Sequence, residues 1–149
     1  MTRYLVDTNV ISAVAPTSPV RRTDLVAWMD SHSVDLFLSA VTVAEIADGI
    51  AKAKREGAQR KASDLSARLQ TVLHLYGERV LPFDSPTVEI AGALTDLARS
   101  RGHSPGFADI AIAATARRHD LTILSRNERH FALVDTVVVD TFQKLPQGR

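Results

Sequence analysis

Short strand-like runs recur along the chain and stop at polar breaks: Tyr4–Val6, Asp35–Ser39, Val80–Phe83, Thr122–Leu124 and Thr136–Val139. Runs of this length, rich in branched and aromatic residues, predict buried strands. Between most of them, apolar positions return every three or four residues. That period predicts helices over Val10–Val14, Asp24–Ser31, Val43–Glu56, Gln59–Tyr76, Pro86–Arg101 and Pro105–Arg118. Strands alternating with helices predict an α/β fold with a mainly parallel, five-stranded sheet. The helix ends agree: Ser85-Pro86 and Ser104-Pro105 each offer a capping hydroxyl before a proline, and Gly57, Gly77 and Gly102 stand where helices should stop. No linker, repeat or low-complexity tract divides the chain, so a single domain over residues 1–149 is expected.

The polar breaks hold the candidate chemistry. Tyr4-Leu5-Val6 ends at Asp7-Thr8-Asn9 before the chain turns apolar again at Val10-Ile11. In α/β sheets ligands gather beyond the carboxyl ends of the parallel strands, which is where Asp7 falls. Asp7 also reads as an Asx-turn or helix cap. Glu45 follows the second run in SAVTVAEIADG, and Thr42-Val-Ala-Glu45 matches a capping box, a structural account in its own right. Asp109 stands in FADIAIAA among apolar Phe107, Ala108 and Ile110–Ala114. A helix apolar on nearly every side is expected to be buried, and an ionised carboxylate there is costly unless paired or bound to a cation. Its position near a helix N-terminus offers a dipole account of part of this. The fourth run ends in the polar triplet Ser125-Arg126-Asn127.

Three acids and an amide thus converge on one rim of the sheet. Carboxylates held close require a shared proton or an intervening cation. All the donors are hard oxygens and the five histidines show no zinc spacing, which points to Mg²⁺ or Mn²⁺. With no cysteine, disulfides and thiolate chemistry are excluded, and a reducing cytoplasm is expected. No apolar run approaches membrane-spanning length. The net charge of +1, from 18 basic and 17 acidic residues, announces no nucleic-acid binder as a whole. Basic residues do cluster locally, as at Arg21-Arg22, Lys52 to Lys61, Arg117-Arg118, Arg126 and Arg129.

Four segments together resemble the PIN-domain ribonucleases, particularly the VapC and FitB-like toxins of bacterial toxin–antitoxin pairs. They are LVDTNVIS, SAVTVAEIADGI, FADIAIAATARRHDLTILSRN and ERHF, and they span almost the whole chain. The resemblance implies a three-layer α/β/α PIN-like domain and an Mg²⁺-dependent endoribonuclease, with Asp7, Glu45 and Asp109 as the acidic core of the metal site. The fourth acidic position of that family falls on Asn127, which removes a charge. Thr8, Asn9 and Ser125 are expected to orient the carboxylates, and Arg126 to contact RNA. The implied partners are the RNA substrate, a small VapB- or FitA-like antitoxin, a second copy of the chain, and operator DNA only through the antitoxin. The antitoxin is expected on the hairpin formed by the helices Val43–Glu56 and Gln59–Tyr76.

The main alternative is a non-catalytic α/β phospho-acceptor or interaction module. A receiver-type domain needs an adjacent acidic pair after its first strand, which Asp7 lacks, and a D-x-D phosphatase needs an aspartate where Asn9 stands. No G-x-S-x-G, P-loop or dinucleotide glycine pattern is present.

Overall fold

The computed structural model describes residues 2–15, 18, 22–131, 138–140 and 145–146. Arg21 of the first basic pair, and Thr136 at the start of the fifth expected strand, lie outside them. The elements run β1 (Tyr4–Val6), α1 (Thr8–Ala13), α2 (Thr23–Ser31), β2 (Leu36–Ser39), α3 (Ala40–Arg55), α4 (Gln59–Tyr76), β3 (Val80–Leu81), α5 (Ser85–Ser100), α6 (Phe107–His119), β4 (Thr122–Ser125) and β5 (Val138–Asp140).

The strands form one sheet in the order β3-β2-β1-β4-β5, and every pairing is parallel. The chain builds outward from β1 to β2 and β3, then crosses back to place β4 on the other side of β1. That reversal opens a crevice between β1 and β4 at the carboxyl end of the sheet, the usual place for a ligand in such folds.

Both faces of the sheet are covered, which explains why the strands read as continuous apolar runs. The period of two sorts their side chains. Leu5, Ile123 and Phe37 belong to the layer with α5 and α6, whereas Tyr4, Val6, Leu124, Leu36 and Leu38 meet residues of α1 to α4. Helix α6 lies deep because it is built of small residues: Ala111, Ala113, Ala114 and Ala116 are fully buried. The buried hydroxyl of Thr115 in the same stretch donates to the Ala111 carbonyl at 2.7 Å, so no polar group is stranded there.

Three helix starts differ from expectation. α3 begins at Ala40, capped by the Ser39 hydroxyl, which accepts from the Val41 N–H at 3.0 Å. Thr42 therefore sits inside the helix, fully buried, and the expected Thr42–Glu45 capping box does not form. α5 is capped by Asp84, not Ser85, because the longer carboxylate reaches both the Thr87 N–H and its hydroxyl. α6 begins only at Phe107, behind Gly106 and without a side-chain cap, so Ser104-Pro105 forms part of the preceding loop.

The glycine stops hold: Gly57, Gly77 and Gly102 all have positive φ. Gly77 combines φ 50° with ψ −120°, a conformation closed to residues with a Cβ. A Cβ placed there would meet nothing within 4 Å, so the constraint is backbone strain alone. Gly77→Ala is expected to lower unfolding free energy by about 1–3 kcal/mol, read by denaturant titration. An unchanged midpoint would contradict it.

Candidate active site

Asp7 follows β1 directly, and its N–H continues the sheet ladder to the Leu124 carbonyl of β4 at 2.9 Å. The same residue caps α1: its Oδ1 accepts from the Thr8 N–H at 2.7 Å. The capping account of Asp7 is thus correct, but it uses only one carboxylate oxygen. The other, Oδ2, accepts from the Ser125 hydroxyl at 2.8 Å across the crevice.

Ser125 is fully buried and its hydroxyl is held in turn by the Asn127 N–H at 2.9 Å and the Asn9 amide at 3.4 Å. Asn9 closes the ring by accepting from the Arg126 N–H at 3.1 Å. Thr8, Asn9 and Ser125 therefore surround Asp7 as the sequence suggested. Asn127 joins this ring through its backbone N–H, and its residue is otherwise exposed.

Glu45, on the second turn of α3, reaches back to α1: its Oε1 accepts from the Thr8 hydroxyl at 2.6 Å. The Thr42 hydroxyl lies 3.2 Å from that same Thr8 oxygen. One threonine thus links the Glu45 carboxylate to the turn that holds Asp7. Asp109, in the first turn of α6, is half-buried, and its Oδ2 stands 3.4 Å from Nδ1 of His130. His130 is one of the five histidines that show no zinc spacing in the sequence. It lies three residues past Asn127 in a short 3-10 turn that brings it onto Asp109, and the signals for it in the sequence are its place beyond the fourth strand and its membership of the ERHF segment. Phe107, expected to be buried with its helix, is 65% exposed; burial begins at Ile110.

The electrostatics join the acids. Burial pushes the Asp7 carboxyl above its ordinary value, the bonds from Ser125 and Thr8 pull it back, and the charges of Asp109 and Glu45 push it up again. Burial also raises Asp109, opposed by His130. Among the described residues, no three Asp, Glu or His side chains are grouped tightly enough to enclose an ion. Glu45 is held instead on Thr8, and Asp109 on His130. The donor chemistry nevertheless fits a hard divalent cation: every candidate is a carboxylate oxygen, and Asp7 is buried next to two further negative charges.

The α3–α4 hairpin does not offer the expected docking groove. Ile46 and Val72 are buried, with Ile50 and Leu69 packed against the same layer, so both stripes are used internally. An apolar groove of about 400 Å³ lies between α1, α2 and α4, lined by Ile11, Val14, Met29 and Leu75 among others and reached by the edge of Val72 from the α4 stripe.

Residues 4–137 match the family model described as PIN domain. The chain is 40% identical over 136 residues to Toxin FitB of Neisseria gonorrhoeae, covering 90% of this chain and 94% of that protein. It is 33% identical over 141 residues to VapC ribonuclease Y4jK of Sinorhizobium fredii, covering 93% and 97% respectively. Among solved structures it is similar to FitAcB from Neisseria gonorrhoeae, with a TM-score of 0.78, 38% identity, and coverage of 93% of this chain and 98% of that one.

The raised carboxyls set the pH dependence of the metal-free protein. A folded-state pKa above the ordinary 3.8 means that the folded protein binds a proton the unfolded chain releases. Stability should therefore rise as pH falls through the folded pKa toward 3.8, and the gain should be absent above it. Lowered Asp24, Asp84 and His119 act in the opposite direction, so the Asp7 contribution is read as a difference: melting curves with EDTA between about pH 7 and pH 4 should show the wild type gaining stability relative to Asp7→Asn as pH falls. Asp7→Asn should also melt no lower than the wild type at neutral pH. Identical profiles would show that Asp7 carries no such burden.

Proposed function

The chain belongs to the PIN-domain family, beside the FitB and VapC toxins, and on that premise we propose that it is the ribonuclease toxin of a toxin–antitoxin pair, hydrolysing RNA phosphodiesters with Mg²⁺ or Mn²⁺. The observation that carries this reading is the buried Asp7 carboxylate, placed in the β1/β4 crevice and pushed toward protonation first by its burial and then by two neighbouring acids. The proposal takes residues 1–149 as one catalytic domain.

Asp7 and Asp109 would hold the cation, with Glu45 at its edge. When bound, such an ion polarises the phosphoryl oxygen and makes water more acidic. The protein's own groups do the rest. Ser125 and the Thr8 N–H fix both oxygens of Asp7, so its orientation is set before substrate arrives. Thr8 aims Glu45, which accepts the proton of the attacking water. The products are a 5′-phosphate and a 3′-hydroxyl. Exposed Arg126 contacts an RNA phosphate. The neutral side chain of Asn127 at the fourth position leaves three anionic groups, a set that favours one tightly held ion over two.

The groove between α1, α2 and α4 fits an amphipathic helix, the usual occupant of such an apolar channel. We assign it to a VapB- or FitA-like antitoxin, through which alone the pair would reach operator DNA. An antitoxin arginine would bridge the acids of the site, since a guanidinium matches paired carboxylates. Two copies of the toxin would associate through other helices.

Purified chain should cleave single-stranded RNA with Mg²⁺ and not with EDTA. Asp7→Asn, Glu45→Gln and Asp109→Asn should each lower the rate by about 100-fold or more while keeping the far-ultraviolet circular dichroism of the wild type. Cleavage by Asp109→Asn near the wild-type rate would contradict the assignment.

A further inference from the structure

Beside Asp109 lies a second cleft of about 320 Å³. Its walls are the loop before α6, with His103 and Gly106, and the 3-10 turn after β4, with Arg129 and His130. Asp109 is the one acid on its lining, and Arg129 with the imidazoles of His103 and His130 supplies hydrogen-bond donors around it. At Gly106 the cleft meets the start of α6, a 13-residue helix that opens without a side-chain cap. Backbone N–H groups in that first turn are unsatisfied by the helix and favour an anion. Next in the chain stands Phe107, with an exposed ring braced edge-to-face by Phe83 at 5.6 Å between centroids. A large aromatic face kept in water and fixed by a second ring is poorly explained by packing, because burial of the helix starts only at Ile110.

A guanidinium, an uncapped helix start and a rigid exposed ring, within a few residues of the proposed hydrolytic centre, match what single-stranded RNA presents: phosphates along a chain and bases with bare faces. Resting on the ribonuclease reading above, we infer that this cleft and Phe107 form a substrate-positioning subsite for one nucleotide next to the scissile bond. Arg129, with His103 beside it, takes a backbone phosphate, and Phe107 stacks on a base. The subsite serves to draw the strand across the acids, and it makes Phe107 a residue that discriminates between substrates by how well the base at that position stacks.

The two halves leave different signatures. A phosphate contact contributes to the salt dependence of binding, whereas stacking contributes affinity with little salt dependence. Binding of a labelled single-stranded oligoribonucleotide of mixed sequence, with EDTA present so that it is not cleaved, separates them. Phe107→Ala should weaken binding roughly tenfold at every salt concentration, and Phe107→Trp should restore it. Arg129→Ala should reduce the slope of log affinity against log salt by about 0.7, the share of one single-strand phosphate. With Mg²⁺, Phe107→Ala should raise KM and leave kcat within about twofold. Either alanine variant binding RNA as the wild type does overturns the subsite, as does a change in oligomeric state on Phe107→Ala, which would mark the ring as a contact between copies. Wild-type protein that neither binds nor cleaves RNA overturns the nuclease reading itself, and the subsite with it.

Discussion

Much of the molecule is arranged around one hydrogen bond, from the Ser125 hydroxyl to Oδ2 of Asp7. It crosses the crevice where the strand order reverses and ties the end of β4 to the end of β1, residues 118 apart in sequence. Without it a buried carboxylate would face apolar walls and like charges, and burial of that kind is costly. With it, and with the Thr8 N–H, both oxygens are held while the carboxyl remains strained toward protonation. Removing the hydroxyl would free one oxygen of Asp7 and also release the Asn9 and Asn127 groups that converge on the same atom.

The remaining architecture delivers other acids to that point. Ser39 caps α3 directly at the end of β2, which lets Thr42 sink into the core against Thr8 and leaves Glu45 facing the crevice. The alanines of α6 let its backbone approach the sheet closely, so Asp109 in the first turn stands near the acids although most of the helix is covered. Capping, small-residue packing and sheet order thus produce an electrostatic conflict that a divalent cation or an arginine would relieve.

How much of this is legible in the sequence depends on the range of the interaction. The strand cores and the sites of helix termination depend on local period and on glycine, and β1, α4, Gly57, Gly77 and Gly102 match expectation closely. The starts of α3 and α5 differ from expectation because two capping residues compete at each. Ser39 prevails over Thr42 because it is the last residue of a strand whose end meets the helix, and Asp84 prevails over Ser85 because its side chain is longer. Asp7, Glu45 and Asp109 are legible as candidates from strand-end positions and an out-of-place charge, and from the family resemblance. Their mutual arrangement was not, because the Ser125 and Thr8 bridges and the approach of His130 exist only once distant elements meet. The docking hairpin failed for the same reason: an apolar stripe does not declare whether the sheet, another helix or a partner will cover it.

The central claim is that the Asp7 cluster is built for a divalent cation. Anomalous scattering from Mn²⁺-soaked crystals of the full chain tests it most directly. A divalent cation held there gives a peak between the carboxylates of Asp7 and Asp109 that disappears in Asp7→Asn. A peak elsewhere, or no peak in the crevice at saturating Mn²⁺, would contradict it.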